Sequence, residues 1–432
     1  MKAIVLAGGK GTRLGLSDLP KPMVSIDGVP LLERTVRTAV RCGVTDFLFM
    51  TGHGAEAING HFGDGGAFGA RIQHVVETEP LGTAGCFNQL RHLLTQPFLV
   101  IYGDVLMDVD LQRFAAEALR RSGAGTLFVH PNDHPFDSDL VETREDGRII
   151  AIHPKPHCGP SHYPNLVSAA LYVLSPSALE YVPEHGASDW ARDIFPTIAR
   201  EEALYAYKSI EYVKDIGTPE RLAAALKDLR SGKLDRLSSR TRKPALFLDR
   251  DGVIVEELDG LRSPDHVELL PGAAETIARF NRMGVPVICV TNQPAIAKGQ
   301  MEMSDLGAVT GEIDHQLAEA AGAYLDDLFI CPHHPERGWP GEVAELKIDC
   351  ECRKPKPGLL VEAAHRHNLD LSRSWLVGDR YCDIAAAHAA GGKAVLVRTG
   401  HNGSDRASYD VEPELLCDGI SDAGEALTAE FA

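Results

Sequence analysis

The chain has 432 residues, long for a single hydrophobic core, and 44% hydrophobic with 24% charged residues is an ordinary globular composition, so two folded domains are expected. A formal net charge of −18 argues against nucleic acid or an anionic membrane as partner, while leaving phosphates bindable through local Lys, Arg, backbone amides and metal. No apolar run reaches membrane-spanning length, the opening stretch Met1 to Gly9 is too short in its apolar part for a secretory signal, and nine scattered cysteines suit a reducing cytoplasm better than a disulfide framework.

Lys2 to Leu6 reads as a buried strand, followed at once by Ala7-Gly8-Gly9-Lys10-Gly11-Thr12-Arg13-Leu14. Three glycines in four residues let the backbone turn tightly, so that several N–H groups face an anion with no Cβ between. Arg13, and Lys21 in Pro20-Lys21-Pro22, bring positive charge to the same place. Leu32, Val36, Ala39 and Val40 keep helical spacing, and Phe47–Met50, Arg71–Val76 and Phe98–Tyr102 read as strands. Such alternation predicts a mostly parallel sheet covered on both faces. Glu79 to Gly85 is a second glycine-containing turn opening a helix. Asp104 follows an apolar strand and Asp215 precedes a helix start; alone, each also fits a cap or a turn.

In order, Gly8-Gly9-x-Gly11-Thr12-Arg13-Leu14, Pro20-Lys21-Pro22, Leu81-Gly82-Thr83-Ala84-Gly85, Gly103-Asp104 and Asp215-Ile216-Gly217-Thr218-Pro219 resemble the sugar-1-phosphate nucleotidylyltransferases, over residues 1 to about 225. Within that family the segment looks most like the guanylyltransferases acting on a heptose or mannose 1-phosphate. The resemblance implies a Rossmann-like, doubly wound domain in which Asp104 and Asp215 hold Mg²⁺ and Arg13 and Lys21 contact the reacting phosphates. It also implies that Leu6, Ala7, Gly8, Gly9, Gly11 and Thr12 receive the nucleotide, helped by Gly82, Thr83 and Asp104. Pro154-Lys155-Pro156 stands where the family often has Glu-Lys-Pro, and Ser168-Ala169-Ala170 where it often has Asn-x-Gly; Lys155 is expected on the sugar phosphate.

Residues 229–243 are polar and basic without a sustained apolar face, which reads as a linker between domains 1–228 and 244–432, with a charged helix end as the competing reading. Beyond it, Ala245 to Leu248 reads as a short buried strand from which Asp249 and Asp251 leave one residue apart, able to converge on one small substrate. Ala273, Ile277 and Phe280 line a helix face, and Val285–Val290 reads as a strand running into Thr291-Asn292-Gln293. Arg353-Lys354-Pro355 follows, then the apolar strand Trp375–Gly378 tipped by Asp379, with Asp383 one helical turn on.

This second order resembles the haloacid dehalogenase (HAD)-type phosphatases over residues 244 to about 400. The resemblance implies that Asp249 attacks phosphorus and that Asp251 protonates the leaving alcohol and later activates water. It places Mg²⁺ on Asp249, Asp379 and the Asp251 carbonyl, and the transferring phosphoryl group on Thr291, Asn292, Arg353 and Lys354. Cys331, His333, Cys350 and Cys352 supply three thiolates and an imidazole in two short arms, a set that suits four-coordinate structural zinc pinning the loop before Arg353 and Lys354. His333 is preferred to His334 because it repeats the x-spaced geometry of Cys350 and Cys352. The loop resembles that of the heptose bisphosphate and histidinol-phosphate phosphatases, although Pro294-Ala295 replaces the usual Ser-Gly.

The fold expected is therefore α/β, two doubly wound domains, the second HAD-like with a zinc loop. The joint expectation is an enzyme pair in which the phosphatase removes the distal phosphate of D-glycero-α-D-manno-heptose 1,7-bisphosphate and the transferase couples the product to GTP. The rivals are mannose 1-phosphate or another hexose 1-phosphate beside a histidinol-phosphate-type phosphatase, and a binding protein with a dead domain. Expected partners are a nucleoside triphosphate and sugar phosphates, and an oligomer is left open.

Overall fold

The first apolar run, Lys2–Ala7, becomes β1 at the middle of a nine-stranded sheet in the computed structural model, which describes residues 1–9, 14, 19–157, 163–258 and 260–431. A short hairpin of β2 (Ser25–Ile26) and β3 (Val29–Pro30) follows. Then come β4 (Asp46–Thr51), β5 (Arg71–Val76), β6 (Phe98–Tyr102), β7 (Val105–Asp108) and β8 (Gly125–His130). The unit continues with β9 (Leu140–Thr143), β10 (Ile149–His153), β11 (Val167–Leu174), β12 (Leu204–Lys208) and β13 (Tyr212–Asp215). Strand order is β10-β9-β11-β6-β1-β4-β5, with β8 pairing β11 and β12.

Only part of this sheet is parallel. β6, β1, β4 and β5 run together, whereas β11 is antiparallel to β6, β8 and β9. The expectation of a mostly parallel sheet fails on that flank because β9 and β10 are joined by a tight turn, closed by Gly147 N–H to Arg144 O at 2.9 Å, and a tight turn permits only antiparallel pairing. In the parallel part both faces are covered. Ala3 and Val5 pack in one cluster with Phe47, Phe49 and Phe114, and Ile4 packs in the opposite one with Val100, Trp190 and Phe195.

The stretch read as a linker is not wholly one. Pro219–Arg230 and Lys233–Leu237 are helices, and Leu234 and Leu237 are buried with Tyr212, Ile216 and Ala225. Two leucines three apart are enough to seat one helical turn, too few to register as an apolar face. The chain divides into one unit of Met1–His130, Ser138–Pro156 and Leu166–Ser238 and another of Pro131–Asp137, His157–Asn165 and Ser239–Ala432.

The second unit holds β14 (Leu246–Leu248), β15 (Val287–Asn292), β16 (Asp327–Cys331), β17 (Trp375–Gly378), β18 (Lys393–Val397) and β19 (Leu415–Cys417). They form an all-parallel sheet in the order β16-β15-β14-β17-β18-β19. The chain leaves β14 toward one edge and returns to its other side at β17, so a crevice opens at the carboxyl ends of β14 and β17. The acidic tail is part of this core: Ile420, Ala423 and Leu427 on helix Ile420–Thr428 are buried. Among the described residues, no helix is long and apolar enough to cross a membrane.

Candidate active sites

At the carboxyl end of β1 the first unit opens a cleft of about 650 Å³ walled by Leu6, Gly8, Gly9, Gly52, Glu77, the 79–83 turn and Tyr102, with Lys21 and Asp104 beside them. The glycines are there because backbone is packed against backbone. A Cβ on Gly8 would come within 2.8 Å of Glu77 Oε2. Gly82 has φ +73°, and a Cβ there would lie 2.4 Å from Ser188 O. The turn is pinned by Ala84 N–H to Ser188 O (2.8 Å) and Ser188 N–H to Leu81 O (3.0 Å). The Thr83 hydroxyl donates to Asp189 Oδ2 at 2.6 Å and accepts from Trp190 N–H at 3.0 Å, so it holds the wall of the cleft together.

Asp104 and Asp215 lie on neighbouring chain segments. Asp215 faces Val105 across the β7–β13 ladder, and Ile216 N–H donates to Asp104 O at 3.1 Å. Each carboxylate pairs with a cation: Asp104 with the Lys21 ammonium, Asp215 with Arg221 Nη1 at 2.9 and 3.0 Å. A carboxylate in the β6–β7 turn and another at the end of β13 suit a hard divalent cation, which would take over from those side chains. Lys155 is exposed beyond β10, and its N–H donates to Asp139 Oδ1 at 3.1 Å. Gly11, Thr12 and Arg13 lie outside the described residues.

Glu77 is the residue of this cleft that the sequence did not disclose. Its Oε1 is buried without a hydrogen-bond partner, and burial raises its carboxyl above the usual range. A glutamate just past a strand end carries no local pattern that separates it from a surface residue, so only the fold puts it beside Gly8.

In the second unit Asp249 leaves β14 buried, its Oδ1 3.0 Å from Lys354 Nζ. The same ammonium reaches Asp383 Oδ1 at 2.6 Å and Val290 O at 2.9 Å. Carboxylate oxygens of Asp249, Asp379 and Asp383 lie within 4.8 Å of one another, as do donor atoms of Glu257, Asp379 and His401. Asp383 and Glu257 thus join a set read in the sequence as Asp249, Asp251 and Asp379. The Gly-Asp-x-x-x-Asp spacing carried a signal for Asp383; for Glu257 there was none. Gly252 and Gly400 flank Asp379, where a Cβ would approach Oδ2 to 2.6 and 2.3 Å.

Burial, with neighbouring carboxylates adding to it, pushes Asp249 up to about 6 against the opposing pull of Lys354. Burial likewise raises Asp379 and Glu257 to about 7. So many oxygens with one lysine among them fit a divalent cation with oxygen ligands. The Asp251 carboxylate is outside that set, held by Arg250 Nη2 at 2.8 Å and Gln293 Nε2 at 2.9 Å, so any part it takes in cation binding would fall to its carbonyl. Thr291 is buried and accepts from Gln293 Nε2 at 2.9 Å. Asn292 brackets the Lys354 backbone through Nδ2 to O and Oδ1 to N–H, both 3.1 Å; its side chain orients the lysine.

Cys331 Sγ, His333 Nδ1, Cys350 Sγ and Cys352 Sγ also cluster within 4.8 Å. Four of the six pairs stand 3.2–3.7 Å apart, close to the ~3.5–3.8 Å edges of a tetrahedron built on zinc–sulfur and zinc–nitrogen bonds. Burial pushes the Cys331 thiol up to about 11, and a cation is what would make three thiolates favourable here. His334 turns away, its ring 5.0 Å from that of Trp339.

Residues 2–232 match the family model for nucleotidyl transferases, and residues 351–423 match one for HAD-hydrolase-like proteins. The D-glycero-beta-D-manno-heptose-1,7-bisphosphate 7-phosphatase of Yersinia pestis is 35% identical over 189 residues, 44% of this chain and 97% of that protein. The D,D-heptose 1,7-bisphosphate phosphatase of B. bronchiseptica, solved with magnesium and phosphate, is 33% identical over 43% of this chain and 99% of its own, with a TM-score of 0.38. HddC of Yersinia pseudotuberculosis is 25% identical over 53% of this chain and 99% of its own, with a TM-score of 0.46.

Proposed function

We propose a function for a chain that belongs to the nucleotidyl transferase family through residues 2–232 and to the heptose-bisphosphate phosphatases, HAD-like enzymes, through its C-terminal half. The chain unites a nucleotidyltransferase with a phosphatase. The phosphatase half hydrolyses the 7-phosphate of D-glycero-α-D-manno-heptose 1,7-bisphosphate, and the transferase half joins the heptose 1-phosphate to GMP from GTP. What carries this reading is that the Yersinia pestis phosphatase is matched over 97% of its length by a segment fused to a nucleotidyl transferase, so one half yields the substrate class of the other. The relatives act, by name, on the β anomer; the α anomer follows from the resemblance of the first half to guanylyltransferases.

In hydrolysis, Asp249 attacks the phosphorus, the bond to the sugar oxygen breaks, and Asp251 gives that oxygen a proton. Asp251 then takes a proton from water, which attacks the aspartyl phosphate and frees Asp249. Lys354, fixed by Asp249, Asp383 and Val290 O, offsets charge on the transferring group. In transfer, the sugar phosphate oxygen attacks the α-phosphorus of GTP in line and pyrophosphate leaves, with Lys21 and Arg13 offsetting the repulsion of two polyanions. Mg²⁺ at Asp104 and Asp215, and at Asp249, Asp379 and Asp383, would neutralise and polarise the phosphoryl oxygens. Zinc at Cys331, His333, Cys350 and Cys352 would hold the loop that delivers Lys354.

Glu77 favours guanine. The base edge of guanine offers two adjacent N–H donors, and a buried carboxylate oxygen lacking a donor is their complement. The test is a pyrophosphate-release screen of ATP, CTP, GTP and UTP with heptose 1-phosphate, together with phosphate release from both bisphosphate anomers. GTP and the α anomer are expected; preference for another nucleotide, or for the β anomer, overturns the corresponding half.

A further inference from the structure

Beside the cleft of the first unit two cations and two carboxylates alternate: the Lys21 ammonium on Asp104, and Arg221 Nη1 on both oxygens of Asp215 at 2.9 and 3.0 Å. Lys21, Asp104 and Asp215 belong to the motifs read in the sequence, and Arg221 does not. It stands in the first turn of helix Pro219–Arg230, where the Thr218 hydroxyl accepts its N–H at 3.3 Å. Helical side chains lean toward the amino end, so this one reaches back past the helix start to Asp215. A cation in the first turn opposes the helix macrodipole, so the helix itself gains nothing from arginine here. The ion pair is partly exposed, at 18% and 36% of the two side chains, and such a pair contributes at most about 1 kcal/mol. Stability is a poor account of the residue.

Its surroundings give a better one. Asp215 Oδ1 also accepts Gly217 N–H at 2.9 Å, which folds the chain over the carboxylate. A Cβ on Gly217 would meet, among the described residues, Asp215 Oδ1 at 2.8 Å, Lys21 Nζ at 3.7 Å and Arg221 Nη1 at 3.9 Å. The two nitrogens thus converge on one point beside the paired carboxylates, and glycine leaves that point uncovered. As the side chains stand, their four charges cancel. With a divalent cation on Asp104 and Asp215, Lys21 and Arg221 lose their partners and repel each other, which a phosphoryl group with three acceptor oxygens relieves.

We propose that Arg221 is a catalytic residue of nucleotidyl transfer: it rests on Asp215 until a divalent cation takes that carboxylate, then donates beside Lys21 to a phosphate oxygen, of the sugar phosphate or of the departing pyrophosphate. The inference rests on the reading of the first unit as a transferase acting on a sugar phosphate. The same two side chains then neutralise the carboxylates before metal arrives and, once displaced, offset the crowding of two polyanions.

Two measurements on the full chain test it, each in the wild type, Arg221→Met and Arg221→Lys. The first is binding of Mn²⁺ alone, read by electron paramagnetic resonance, with Asp379→Asn in every chain to disable the carboxylate cluster of the second unit. Arg221→Met removes the competing cation and should lower the Kd about two- to fivefold, and Arg221→Lys should restore it. A side chain that only braced Asp215 would give the opposite change, and tighter binding also shows the site to be folded. The second is nucleotidyl transfer at saturating Mg²⁺. In Arg221→Met either the KM for heptose 1-phosphate or the Ki of pyrophosphate should rise about tenfold or more, the loss of a charge-assisted hydrogen bond. A rise in KM assigns the contact to the sugar phosphate, and a rise in Ki assigns it to the leaving group. Mn²⁺ binding that weakens or stays put, or a KM and a Ki that both stay put, overturns the role of Arg221. A wild type that does not join heptose 1-phosphate to GTP overturns the functional reading instead, and the Mn²⁺ titration then decides Arg221 by itself.

Discussion

Glu77 faces a cleft with an unsatisfied oxygen, and its neutral counterpart offers one acceptor and one donor where guanine needs two acceptors. Glu77→Gln should lower kcat/KM with GTP about ten- to a hundredfold and narrow the preference over ATP, read by pyrophosphate release. Ala170 sits at φ +55°, in a strand bulge. A left-handed alanine costs about 1–2 kcal/mol, more than the entropy glycine loses on ordering, so Ala170→Gly should raise the unfolding midpoint of the first unit by about 2–4 °C. The raised carboxyls of Asp249 and Asp379 have a direct pH consequence. Folded protein without metal holds protons there that the unfolded chain has released, so its stability falls as pH climbs from about 4 to about 7. A cation must displace those protons, and the Mg²⁺ concentration for half-maximal phosphate release should therefore drop between pH 5.5 and 7.5. Neither the Glu77 nor the Ala170 environment has a local signature: Ala170 shows as a departure from a motif, but its backbone angle belongs to the bulge.

Elements were legible where an apolar run ended in a charged residue. β1, β6, β14 and β17 each announce themselves, and with them Asp104, Asp249 and Asp379, because a buried strand must be apolar and its exit need not be. The strand read as Val285–Val290 runs instead from Val287 to Asn292, carrying Thr291 and Asn292 inside the sheet. The antiparallel flank was harder, since β9 and β10 are short, partly exposed and set by a turn. Paired Cys-x-His and Cys-x-Cys arms were plain in the sequence, while the dependence of Lys354 on them is spatial: Asn292 and the loop together fix its backbone. Cys350→Ser should abolish bound zinc, measured by elemental analysis, and reduce phosphate release about tenfold or more, leaving guanylyl transfer as before.

At the scale of the whole molecule, the apolar clusters among the described residues each draw on one of the two units. One cluster runs from Leu246 to Phe431, and the others lie between Ala3 and Leu237. Chemistry in one unit should therefore be removable alone. Asp249→Asn is expected to end phosphate release while nucleotidyl transfer from supplied heptose 1-phosphate continues; loss of both in a folded variant would contradict this. The spacing of Cys350 and Cys352 adds a further consequence. Their sulfurs stand 3.2 Å apart, and a disulfide would need to draw them to about 2.05 Å, two residues from the lysine that touches Asp249. Peroxide that closed this bond would take two of the four donors from the cluster behind Lys354, so that the flow of sugar through the hydrolytic half becomes answerable to the oxidation state of its surroundings.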